Sequence, residues 1–167
     1  MRTGACRPLD APSSRGTLSS LVERRSLPPT TPRESIRWAA GPNYCITIEG
    51  ASVAVLEVWQ APELTREQGA QCAEQMASGL LELSRTRRGL VIDLRRATVT
   101  WGPRTQLALE QMVRPWEERG REIWVVPANE PIQAIAVKRL LERAASRHGH
   151  MATSVEVALA SAGRAKR

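Results

Sequence analysis

The sequence predicts an α/β fold from two patterns. Short runs rich in β-branched residues alternate with stretches of helical period, and two of the short runs are apolar almost throughout, as strands covered on both faces are. Capping tetrads and glycine stops mark the junctions between them. The expected architecture is one small domain with a four- or five-stranded, mostly parallel or mixed sheet and about four helices.

Taken in order, YCITIE (residues 44–49) and SVAVLEVWQ (52–60) are strand-like and are separated by Glu49, Gly50 and Ala51, a tight connection. The tetrad TREQ at residues 65–68 has the form of a capping box, in which a threonine and a glutamine three positions on satisfy each other's backbone donors. Cys72, Ala73, Met76, Leu80 and Leu83 then recur on one helical face. GLVIDL (89–94) is the first covered-type strand. Residues 103–119 read as a helix with Leu109, Met112, Val113 and Trp116 on one stripe and Gly120 as its stop, although Pro115 predicts a kink or an early end. REIWVVP (121–127) is the second covered-type strand, and Pro131 opens a helix carrying Val137, Leu140, Leu141 and Ala144 on one face. A short strand at 150–152 leads through TSVE (153–156), again a capping-box pattern, into a last helix stopped by Gly163.

The chain has 167 residues and is 42% hydrophobic, enough for one domain with a core. Its net charge of +7 lies on the two ends: residues 1–43 hold seven Arg against three acids, 163–167 add three basic residues, and 44–162 balance at fourteen of each sign. The first 43 residues also hold more than half of the prolines, among Ser, Thr and Arg without apolar period, and so predict a disordered basic arm; the domain is expected over 44–162 and a basic tail over 163–167. Basic ends of this kind hold nucleic acid weakly and salt-dependently, and no specific nucleic-acid partner is expected. No apolar run approaches the length of a membrane span, and no apolar segment precedes Cys6 to make a leader. Three cysteines, Cys6, Cys45 and Cys72, at no metal or disulfide spacing suit a reducing, cytoplasmic setting.

Four segments together resemble one family. VAVLEVWQAPEL (53–64), GLVIDLRRATVT (89–100), WEERGREIWVVPANEPIQAIAVKRLLE (116–142) and MATSVEVALA (151–160) are similar, in order and spacing, to the strands and helices of STAS domains, the family of sulphate-transporter and anti-sigma-factor-antagonist modules. The resemblance implies a cytosolic regulatory module that binds a protein partner, such as a regulatory kinase or an anti-sigma-like factor, and catalyses nothing. In the antagonists an Asp-Ser-Ser-Gly segment opens the second helix and one serine is the phosphorylation switch. The matching positions, counted from Asp93, are Trp101, Gly102, Pro103 and Arg104, where no serine stands. A phosphate switch needs a hydroxyl to carry its charge, so the resemblance implies partner binding without that switch. Thr98, Thr100 and Thr105 are nearby hydroxyls that nothing selects.

The candidate partner-binding residues are therefore Thr100, Trp101, Gly102, Pro103, Arg104 and Thr105, in the turn ATVTWGPRT (97–105). Gly102 and Pro103 suit the cap and first position of a helix. Trp101 either packs on the domain or anchors a partner. Arg95, Arg96 and Arg104 near a helix start could together attract an anion, unless a carboxylate such as Asp93 satisfies that end. No catalytic triad, phosphate loop or carboxylate pair is assignable, and His148 and His150 have no third ligand close in sequence, so no cofactor, metal or enzymatic activity is expected. The alternative expectation is a carrier that holds a small apolar ligand or lipid between helix and sheet.

Overall fold

A computed structural model describes residues 34–164. Residues 1–33 of the expected basic arm, Cys6 among them, and residues 165–167 of the expected basic tail lie outside the described residues. Six strands form one mixed sheet in sequence order: β1 (Ser35–Gly41), β2 (Tyr44–Glu49), β3 (Val53–Trp59), β4 (Gly89–Arg96), β5 (Glu122–Val126) and β6 (Gly149–Met151). The first three pair antiparallel and the rest parallel. Four helices complete the α/β domain: α1 (Arg66–Thr86), α2 (Pro103–Glu117), α3 (Pro131–Ala144) and α4 (Val155–Ala162).

The domain starts earlier than residue 44 because β1 occupies part of the segment read as a disordered arm. The strand escaped notice for a physical reason. Its register with β2 slips between Arg37 and Ala39, so Trp38 is the extra residue of a bulge and the alternation that identifies a strand is broken. It is also an edge strand with mostly exposed side chains, including Ile36 and Trp38. The β2–β3 turn is where the sequence places it, with Gly50 and Ala51 both at positive φ (55° and 62°).

Each parallel crossover advances the sheet by one strand in the same direction. With one handedness this sends α1, α2 and α3 to the same face. There Ile46, Leu56, Leu90, Ile92 and Ile123 of the sheet meet Leu80, Val113 and Trp116 of the helices in the main core. The other face is covered over β4 and β5 by α4, whose Ala158 and Ala162 pack on Val53, Val91 and Val126.

The helix ends follow local chemistry. Thr65 and Gln68 form the predicted reciprocal capping box. Thr65→Ala is expected to lower stability by about 1 kcal/mol, read as a shift in the urea midpoint, because one first-turn donor loses its acceptor at an exposed site. Ser154, rather than Thr153, caps α4 by accepting from Val157 N, and Gly163 ends it. Pro115 neither splits nor shortens α2, since it sits in the last turn, where its missing N–H removes a single bond. Among the described residues, no helix is long and apolar enough to cross a membrane.

Candidate functional site

Parallel strands deliver their loops to the C-terminal edge of the sheet, where ligand sites of α/β folds gather. Here that edge carries the loop from β4 to α2, which contains Thr100, Trp101 and Gly102, while Pro103, Arg104 and Thr105 form the first turn of α2. Gly102 is the cap and Pro103 the first helical residue, as expected. The cap makes no side-chain hydrogen bond, and the Gly102 carbonyl accepts from Gln106 N at 3.1 Å. Gly102 has φ −73° and open space where a Cβ would stand, so a serine would fit this position sterically. Thr100, Gly102, Pro103, Arg104 and Thr105 are exposed.

Trp101 is half-buried and packs against the main core. Its indole N–H donates to the Thr98 carbonyl at 2.9 Å, which closes the loop on itself. This tryptophan packs on its own domain while part of its ring stays exposed. Loop position is set from below by Gln133 of α3, which is fully buried. Its amide nitrogen donates to the carbonyls of Leu94 (3.2 Å) and Thr98 (3.3 Å), and its amide oxygen accepts from Ala128 N. One side chain thus ties the end of β4, the candidate loop and the β5–α3 connection together.

The three arginines do not converge. Arg95 forms a two-pronged pair with buried Asp93 (2.9 and 2.7 Å), and this hydrogen bonding raises the guanidinium pKa above its ordinary value. Asp93 is therefore engaged with Arg95, and it does not cap α2. Arg96 pairs with Glu57 at 3.1 Å and lies over the Trp59 ring. Arg104 makes no ion pair among the described residues. At the start of α4, the Ser154 hydroxyl holds the Glu156 carboxyl below its ordinary value.

His148 and His150 gain a neighbour that sequence distance concealed. Glu122, on β5, places one carboxylate oxygen 2.9 Å from His150 Nε2 and the other 3.8 Å from His148 Nδ1, while His150 stacks on Trp124. Among the described residues, no group of three or more His, Cys, Asp or Glu is arranged to hold a metal ion. Cys45 and Cys72 are free thiols.

Beside the loop lies a cleft of about 690 Å³ between α1 and α2. Trp101, Arg104 and Thr105 line it, whereas Thr100, Gly102 and Pro103 do not. Its α1 wall is made of Ala70, Ala73 and Ala77, which follow one another at helical spacing, and Ala108 faces it from α2. Small side chains at these positions leave the volume between the two helices unfilled. The alanine spacing was present in the sequence, but small residues on a helix carry no sign of whether a neighbour fills the space they leave.

Comparison of the chain with family models, curated proteins and solved structures found no match.

Proposed function

We propose that the chain is a non-enzymatic, cytoplasmic regulatory module, STAS-like in kind, that binds a protein partner at the C-terminal edge of its sheet without a serine-phosphorylation switch. The observation that carries this reading is the exposure of Leu107 (55%), Ile132 (62%) and Ile135 (53%) at the beginnings of α2 and α3. Leu107 stands one turn before Glu110, whose carboxylate meets Arg143 of α3 at 3.3 Å, so this stripe of α2 borders α3. Large apolar side chains exposed near the starts of two helices that enter from the same sheet edge are costly in water and useful in an interface. Further support comes from the order of strands and helices that the resemblance implies and from the absence of any hydroxyl at 101–104. The exposed surface beside the rigid Gly102–Pro103 turn adds Leu107 to half-buried Trp101 as an expected anchor. A regulatory kinase or an anti-sigma-like factor is the partner class the resemblance supports.

Affinity capture from native lysate, comparing the full chain with Leu107→Asp plus Ile135→Asp, tests the reading. Because both side chains are solvent-facing, the variant should fold as the wild type does and lose its specific partner by roughly tenfold or more, the loss of a modest interface anchor. Equal recovery of the same proteins by both would overturn it.

A further inference from the structure

The α1–α2 cleft combines three properties that a surface irregularity does not share. Its volume of about 690 Å³ falls within the roughly 300–1,000 Å³ of small-molecule sites. Its interior is apolar: the partly buried residues Val58, Leu64, Ala73, Ala77 and Ala108 border it, above buried Met112. Its polar lining is asymmetric in charge, with Arg66 and Arg104 against the single carboxylate of Glu74.

The two arginines are informative by their placement. Arg66 is the first residue of α1 and Arg104 the second of α2, and a cation in the first turn opposes the helix dipole. Neither makes an ion pair among the described residues, and both are exposed at the open side of the cleft. Helix stability does not account for them, and on the cleft lining they offer two cationic groups to an anion. At the α1 start the Thr65–Gln68 box satisfies two backbone donors, and the Arg66 side chain adds a positive charge on the cleft lining. An apolar interior below a cationic rim matches a molecule with a hydrocarbon body and an acidic head.

We propose that this cleft binds a single-chain anionic amphiphile of the fatty-acid class, its hydrocarbon chain against the alanine wall and its carboxylate at the Arg66–Arg104 rim. Burial of each methylene contributes affinity, and the rim selects the charged head. Trp59 and Trp101 lie on the same lining, so an occupant changes the surroundings of both indoles.

The probe is cis-parinaric acid, whose fluorescence rises on entering an apolar site, titrated into the full chain and displaced by palmitic acid or by hexadecanol. The expected result is saturable binding displaced more strongly by the acid than by the alcohol. Arg66→Ala with Arg104→Ala, both at exposed positions, should weaken the acid by roughly tenfold and leave the alcohol nearly unchanged. Ala73→Trp, which fills the cleft, should abolish binding of both, provided its circular dichroism matches the wild type; where it does not fold, the arginine pair decides. Absence of saturable parinaric acid binding overturns the site. Equal loss of acid and alcohol in the arginine variant, or unchanged acid affinity there, overturns the assignment of the rim.

Discussion

Gln133→Leu should destabilise the domain by about 1–3 kcal/mol, the cost of a backbone donor left without its acceptor, because Ala128 N loses its partner while the Leu94 and Thr98 carbonyls each lose one of two donors. The wild-type amide serves Ala128 N and the carbonyls of Leu94 and Thr98, and it is fully enclosed. Leucine keeps most of the volume, so packing loss does not obscure the polar effect. The consequence is local as well as global. Thr98 also accepts the Trp101 indole N–H, so its release frees the loop that leads into α2. Hydrogen exchange should rise first over residues 97–102, before the sheet opens. A loss below about 1 kcal/mol with unchanged exchange there would mean that the loop holds its shape without α3.

Trp116→Ala should cost about 3–5 kcal/mol, the range for truncating a fully buried tryptophan, since its side chain has no exposure at all. Trp116→Phe should cost much less. The indole N–H of Trp116 has no hydrogen-bond partner among the described residues, so the ring contributes by volume and its donor is a desolvation liability. Urea denaturation of the two variants separates these contributions: alanine should move the midpoint far more than phenylalanine. Comparable losses would show that the indole nitrogen is satisfied in solution, as by a bound water.

Most of the fold was legible because its signals are short-range. The Thr65–Gln68 box, the Gly102–Pro103 and Pro131 helix starts, the Gly50–Ala51 turn and the apolar β4 and β5 strands each lie within a few residues of one another. Strand β1 was missed because a bulge at Trp38 interrupts its period and a sheet edge imposes little pattern on its side chains. The candidate loop was found correctly at the edge of the sheet, but its chemistry was not readable. Whether Trp101 turns inward, and whether Arg95 and Arg96 are free, depends on Thr98, Asp93 and Glu57, and Glu57 comes from a different strand.

Periodicity and capping residues were sufficient for the α/β class, the order of its elements and the loop that enters α2, because each of these is decided by neighbours along the chain. The cleft, the Gln133 tie, the exposed patch of Leu107, Ile132 and Ile135, and the meeting of Glu122 with two histidines required the folded arrangement. Each joins or exposes groups on separate elements, and the space between α1 and α2 is bordered by alanines of one helix and side chains of the other that do not fill it. A chain read residue by residue records which side chains are small or charged. Packing decides which of them face one another, which face water and which enclose a volume.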